Sequence, residues 1–318
     1  CGILIDGAVE AISNISIVGN FIGTDVTGTQ VLANRVGIGV SGDSAGVGPV
    51  TGTVIGTQAV EDRNIIGGSW GFAIIDDYAL RGSCISLFDH LNTVIYGNFI
   101  GIDASGANAL GDSQQGIYDR LGENTLIGGA ILTQRNYVSG HLMYGMRLRD
   151  LLNGIVENNY VGTNVQGNAI FEAVTQNQGI YIDGETTGTI VRNNLVSGNV
   201  SGIVIGSPFL LPSAENNTFI GNLVGTDASG ALPLGNRGDG IIVNTPNNVI
   251  GDLGSTNKNV ISNNGNNGIT VSVATDAIIQ NNHIGFDIVG NKARGNNNHG
   301  IQIGLQGGLA GASNNSII

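Results

Sequence analysis

Residues 221–243 read GNLVGTDASGALPLGNRGDGIIV, and their first eleven positions nearly repeat residues 19–29, GNFIGTDVTGT. The pattern returns at 97–112 as GNFIGIDASGANALGD, at 158–173 as NNYVGTNVQGNAIFEA and at 281–296 as NNHIGFDIVGNKARGN. The second residues of these copies are Asn20, Asn98, Asn159, Asn222 and Asn282, at steps of 78, 61, 63 and 60. The closing GIIV is itself one of ten copies of a Gly-aliphatic motif. The others are GILI (2–5), GIGV (37–40), GFAI (71–74), GIYD (116–119), GMRL (145–148), GIYI (179–182), GIVI (202–205), GITV (268–271) and GIQI (300–303). Steps of 23 to 45 residues separate them, so two short steps make one long unit of about 60 residues. Self-similarity of this kind points to a repeat architecture before any chemistry is considered.

Composition restricts what the unit can be. Gly supplies 53 of 318 residues, without the strict triplet of collagen, and 41% hydrophobic content is too high for disorder. Apolar residues come in short bursts such as TVIYGNFIG and AIIQNNHIG, bounded by Gly, Asn and Asp; no window carries helical spacing. Links of one or two residues around Asn, with no Asn-Gly hairpin signal, argue against a propeller or a sandwich. The reading is an all-β, right-handed parallel β-helix of about ten rungs, a single repeat domain over 1–318. Each rung contributes about three short strands that pair with the same strands of the next. At the inter-strand spacing of ~4.8 Å, ten rungs make a rod roughly 48 Å long.

The recurring Asn and Asp read as rung punctuation. An inward Asn at a bend can bond the backbone groups freed there and stack on an Asn of a neighbouring rung. Asp25, Asp103, Asp227 and Asp287 follow a strand, where an Asp closes an Asx turn completed by the Gly three residues on. These Asp lie two rungs apart, roughly 9.6 Å, too far to share one calcium ion at ~2.4 Å per ligand, and Asn164 breaks the series. No cofactor or metal is expected, a structural calcium at one corner being the unfavoured alternative.

The units NVISNNGNNGITV (259–271), NYVSGHLMYGMRL (136–148) and GNLVGTDASGALPLGNRGDGIIV (221–243) resemble the parallel β-helix repeats of large bacterial secreted and surface proteins. The resemblance covers essentially the whole chain and implies an extracellular or cell-surface setting. Such repeats usually serve as rods that carry other domains. The wider fold class also holds pectate lyases, polygalacturonases, epimerases and tailspikes, so fold alone chooses no function.

Twelve basic residues against 24 acidic ones give a net charge of −12. That balance disfavours nucleic acid and capture of polyanions along the whole rod. No apolar run is long enough to insert into a membrane. Cys1 and Cys84 fall on rungs too far apart to pair, and Cys84 reads as a small buried residue. The terminal rungs are expected to meet further repeats, a capping element or identical chains, because open strands and a bare core template association.

Two regions stand out as candidate sites. In each GIxI the third residue points outward, which places Tyr118, Arg147 and Tyr181 on consecutive rungs, with Arg149 and Asp183 two residues on and Arg120 near. A flat aromatic–guanidinium ladder suits a glycan or another protein. The long step after GFAI carries IDDYALRGSCISLFDHLN (75–92); if the chain is an enzyme, Asp76, Asp77, Arg81 and His90 would be its catalytic group. No catalytic motif supports that, so the first expectation is a non-catalytic extracellular rod for adhesion, a surface layer or a fibre. The alternative is a polysaccharide-active enzyme, a lyase or glycosidase, or a glycan-binding module on the same fold.

Overall fold

The computed structural model describes residues 1–42, 48–69, 72–75, 78–111, 113–172, 175–207, 213–254, 256–304 and 312–318, with the backbone alone for 72–75 and 78–81. Three parallel sheets run the length of the molecule, and each rung passes through them in turn. The first holds the Gly-aliphatic strands, among them Ile3–Asp6, Ser83–Leu91, Gln115–Glu123, Tyr144–Arg149, Gln178–Asp183 and Ile301–Ile303. The second and third are built of two- and three-residue strands, such as Val94–Tyr96 followed by Phe99–Ile100. Pairing is parallel and in register throughout the three. This is a right-handed parallel β-helix of ten rungs, the hand that parallel crossovers take almost without exception.

Short strands suffice because each side chain stacks on its equivalent above and below. Ile38, Ile85, Ile117, Met146, Ile180, Ile203, Ile241 and Ile269 form one wholly buried column along the first sheet. Burying each stabilises the fold by about 1.5–3 kcal/mol. The third motif copy is a correction. Phe72–Ile75 pairs antiparallel with Tyr78–Arg81, a hairpin outside the three sheets. Its place in the column is taken by Ile85 of Ser83–Leu91, whose CISL continues the inward alternation without a leading Gly. Half of the long step after GFAI is therefore a regular rung.

Polar ladders close the corners. Between the second and third sheets the five expected Asn interleave with Asn64, Asn136, Asn194 and Asn259, and each Nδ2 donates to the next Oδ1 from Asn20 to Asn282 at 2.8–3.1 Å. The same amides donate to strand carbonyls, as Asn194 does to Val156 at 2.9 Å. The ladder thus supplies partners for backbone groups that the bend frees, Asn98, Asn159 and Asn222 among those whose own N–H donates to the next Oδ1.

At the third corner, Asp25 accepts from Thr27 Oγ1 and from the backbone N–H groups of Thr29 and Gln30. Asp103, Asp227 and Asp287 cap their own loops similarly, and Asn164 does the same without a charge. The Thr27 hydroxyl and these N–H donors hold Asp25 below the usual carboxylate range. At Asp103 and Asp287 burial opposes the shift, but hydrogen bonds outweigh it and the pKa is again lowered. Although two rungs separate them, the loops touch directly: Ala104 donates to Gly28 O at 3.0 Å and Ala228 to Gly167 O at 2.8 Å. They form a continuous ridge.

A second ladder ends in a histidine. Gln176 donates to Asn199, Asn199 to Asn236, Asn236 to Asn264 and Asn264 to Asn296. His141 holds the corresponding place two rungs before Asn199, fully buried, with Nε2 3.2 Å from Ile100 O. Burial pushes its pKa down from 6.5 to about 4. A base whose folded pKa lies below its unfolded one keeps its full contribution above the unfolded value and loses it as pH falls toward the folded one. Between pH 7 and pH 5 the loss should be about 2 kcal/mol. His141→Asn, which extends the amide ladder, should remove that much of the pH dependence in urea unfolding. Parallel stability profiles for the two chains would refute the assignment.

Candidate functional site

The outer face of the first sheet carries one concentrated group of chemistry. Tyr118, Arg147 and Tyr181 stand opposite one another on successive strands, and Arg120, Arg149 and Asp183 form the column beside them. The Arg147 guanidinium lies 5.4 Å from the Tyr118 ring centroid and 5.5 Å from that of Tyr181. Its Nε donates to Asp183 Oδ1 at 3.1 Å while Nη2 donates to Oδ2, a bidentate pair. Arg149 reaches Asp183 at 3.5 Å and Asp150 at 3.3 Å, and Arg120 reaches Asp150 at 3.6 Å.

Tyr144 belongs to the group although strict alternation would send it inward. A Cβ on Gly145 would meet Gln176 Nε2 at 2.7 Å, so Gly145 and Met146 both face the core and Tyr144 turns back outside. Its ring stacks on Tyr181, centroids 5.3 Å apart and planes within 17°, and Arg147 lies 5.5 Å from it too. The stacking covers Tyr181, which keeps only 8% exposure, while Tyr118 and Tyr144 are half-buried. The accessible aromatic surface is therefore Tyr118 and Tyr144.

Electrostatics fix the state of the group. Burial raises the Tyr181 phenol to about 12, with the Asp183 charge adding to it, and burial likewise raises Tyr118 against the pull of the arginines. Burial works against the Arg147 cation, but the Asp183 hydrogen bonds and charge outweigh it and the pKa is raised. Neutral phenols flank a permanent cation at any physiological pH.

Of the alternative catalytic group, Asp76, Asp77 and the Arg81 side chain lie outside the described residues. His90 is placed. It is buried, its Nε2 2.8 Å from Asp119 Oδ1 and its Nδ1 2.8 Å from Thr93 Oγ1. Both ring nitrogens are engaged inside the fold, away from solvent. Asp119 occupies an inward position between Leu87 and Leu148, a polar break in an aliphatic column. The signal was present in GIYD, whose fourth residue is not aliphatic. Among the described residues, no group of three His, Cys, Asp or Glu is placed to hold a metal ion. No helix among them is long and apolar enough to cross a membrane. Cys84 is buried, with its thiol pushed up to about 11 by burial, and both cysteines are free.

A second feature lies on the outer face of the third sheet. There Phe21, Ile65, Phe99, Tyr137, Tyr160, Leu195, Leu223, Val260 and His283 form one column. The Asp-capped ridge packs along it, and a cleft of about 400 Å³ opens over Tyr160, Leu195, Leu223 and His283.

No family model and no curated protein sequence matches the chain. Among solved structures it is similar to the periplasmic alginate epimerase AlgG (12% identity, TM-score 0.48, 99% of this chain and 74% of that one). It is also similar to the A-module of a mannuronan C-5 epimerase from Azotobacter vinelandii (16%, 0.38, 99% and 86%) and to Dettilon tailspike protein (16%, 0.39, 94% and 61%). At this similarity what is shared is the parallel β-helix.

Proposed function

We propose that the chain is an extracellular or periplasmic glycan-binding β-helix that holds a sugar chain on the outer face of its first sheet. The observation that carries this reading is the Tyr118–Arg147–Tyr144 platform, two half-exposed rings on either side of a cation locked by Asp183. Sugar rings present an apolar C–H face that lies flat on an aromatic ring, and their hydroxyls accept from guanidinium donors at the edge. Arg149 and Arg120 supply that edge. The rigid sheet keeps the platform from paying ordering entropy on binding.

A non-catalytic rod remains the second reading, favoured by the nine-residue Asn ladder that stiffens the body from Asn20 to Asn282. The two separate on a glycan array. The 318-residue chain should bind a subset of oligosaccharides, and Tyr144→Ala should cut the signal by ~10-fold or more, base stacking on aromatics setting the scale at 1–3 kcal/mol per ring. Circular dichroism should stay unchanged, since Tyr144 is outside the core. A parent chain that binds no glycan would leave the rod.

A further inference from the structure

Outside that platform, cations gather where the composition gives no reason to expect them. Three third-sheet strands are preceded by a basic residue and a ladder Asn: RNII at 63–66, RNYV at 135–138 and KNVI at 258–261. Arg63 and Arg135 each follow a short 3-10 turn, Val60–Asp62 and Leu132–Gln134. Each lays its guanidinium on the outward ring of the next rung, Arg63 at 4.1 Å from Phe99 and Arg135 at 3.8 Å from Tyr160. Lys258 stands at the same place, and the outward residue of its next rung is His283. The 60-residue unit explains the geometry. One rung of each pair delivers the Asp-capped ridge at the third corner, and the other can deliver a basic residue at the second, with the trough between.

The cleft of about 400 Å³ lies within the ~300–1,000 Å³ range of small-ligand sites. Its floor is Leu195, Leu223 and the Tyr160 ring; Arg135, Lys258 and His283 line it, with Asn193 and Asn257. Among the described residues no Asp or Glu lines it; Glu157, which borders the same Asn193 and Asn257, is paired with Arg192. In a chain with twice as many acidic as basic residues, that is a local inversion of charge. Arg135 is fixed by Asn158, to which Nε donates at 3.0 Å and Nη2 at 2.6 Å, so its cation is preorganised. The His283 Nδ1 is buried without a hydrogen-bond partner.

We infer that this cleft is a second binding site, distinct from the first-sheet platform, for an anionic sugar residue. Its carboxylate or sulfate is held by Lys258 and its apolar ring face rests on Leu223 and Leu195, while Arg135, at the Tyr160 end of the cleft and roughly 19 Å along the sheet from the Lys258 strand, meets a further residue of the same sugar chain. The acidic balance of the whole chain, which disfavours polyanions along the rod, does not extend to this groove.

Calorimetric titration of the 318-residue chain with trigalacturonate tests it, against the methyl-esterified trisaccharide and a sulfated trisaccharide. Trigalacturonate or the sulfated sugar should bind, the better one identifying the anion, and the neutral ester should bind ~10-fold more weakly, the scale of one charge-assisted hydrogen bond. Lys258→Gln should weaken the anionic ligand ~10-fold or nearly so, and added salt should do the same. The Tyr118→Ala/Tyr144→Ala chain should bind it as the parent does, which keeps failure here separate from failure of the platform. Absence of binding by both anionic sugars, equal affinity for the ester, or loss in the tyrosine variant with Lys258→Gln unaffected would each overturn the site.

Discussion

Asn194→Ala should destabilise the chain by on the order of 4 kcal/mol, although it removes only a side-chain amide. Asn194 is fully buried. Its Nδ2 donates to the carbonyls of Val156 and Arg192 and to Asn222 Oδ1, while its Oδ1 accepts from both the backbone N–H and the Nδ2 of Asn159. Alanine would leave several of these groups without a partner in a dry corner, each at about 1–3 kcal/mol, partly relieved where a second bond survives. Nearest-neighbour coupling makes the damage local in a solenoid, so hydrogen exchange should rise first in the rungs of Asn159 and Asn222. Urea unfolding read by circular dichroism should show a midpoint lowered by roughly 1–2 M. A midpoint matching the parent would mean that the ladder decorates the bend without holding it.

Asp119→Ala should cost about 3–5 kcal/mol, because it strands the buried His90 Nε2 and opens a void in the column of Leu87 and Leu148. The triple change His90→Leu, Asp119→Leu, Thr93→Val tests whether the polar trio is itself stabilising. It replaces the whole hydrogen-bonded set by apolar groups in an aliphatic surrounding, and the expected stability is equal to the parent or higher. Unfolding of both chains in urea checks this. A single variant within about 0.5 kcal/mol of the parent would show that the pair is not a linked buried unit.

Much of the fold was legible because a solenoid writes its geometry into sequence period. Nine of the ten Gly-aliphatic copies fall on the first sheet in the expected register, and all five Asn of the GN and NN copies lie in the ladder. The tenth copy, GFAI, failed for a physical reason. The motif describes a strand that can pair with anything, and here Phe72–Ile75 pairs with the adjacent Tyr78–Arg81. CISL escaped notice because the Gly that marks other rungs stands two residues earlier, at Gly82.

The platform was half legible. Outward alternation located Tyr118, Arg147, Arg149, Tyr181 and Asp183, but not how they cover one another. Tyr144 was missed because Gly145 and Met146 both face the core, which breaks the alternation and turns Tyr144 outward. The third-sheet cleft was missed because its residues come from six rungs. The RN and KN pairs that would have shown it look like ordinary turn residues singly.

The most direct test of the glycan-binding claim is where a bound sugar sits. In a perdeuterated chain with protonated tyrosine, saturation of the ring protons should pass to the best oligosaccharide from the array. The transfer should collapse in Tyr118→Leu/Tyr144→Leu, which keeps the Tyr137 and Tyr160 rings of the third sheet. Unchanged transfer in that variant would place the sugar elsewhere and contradict the platform.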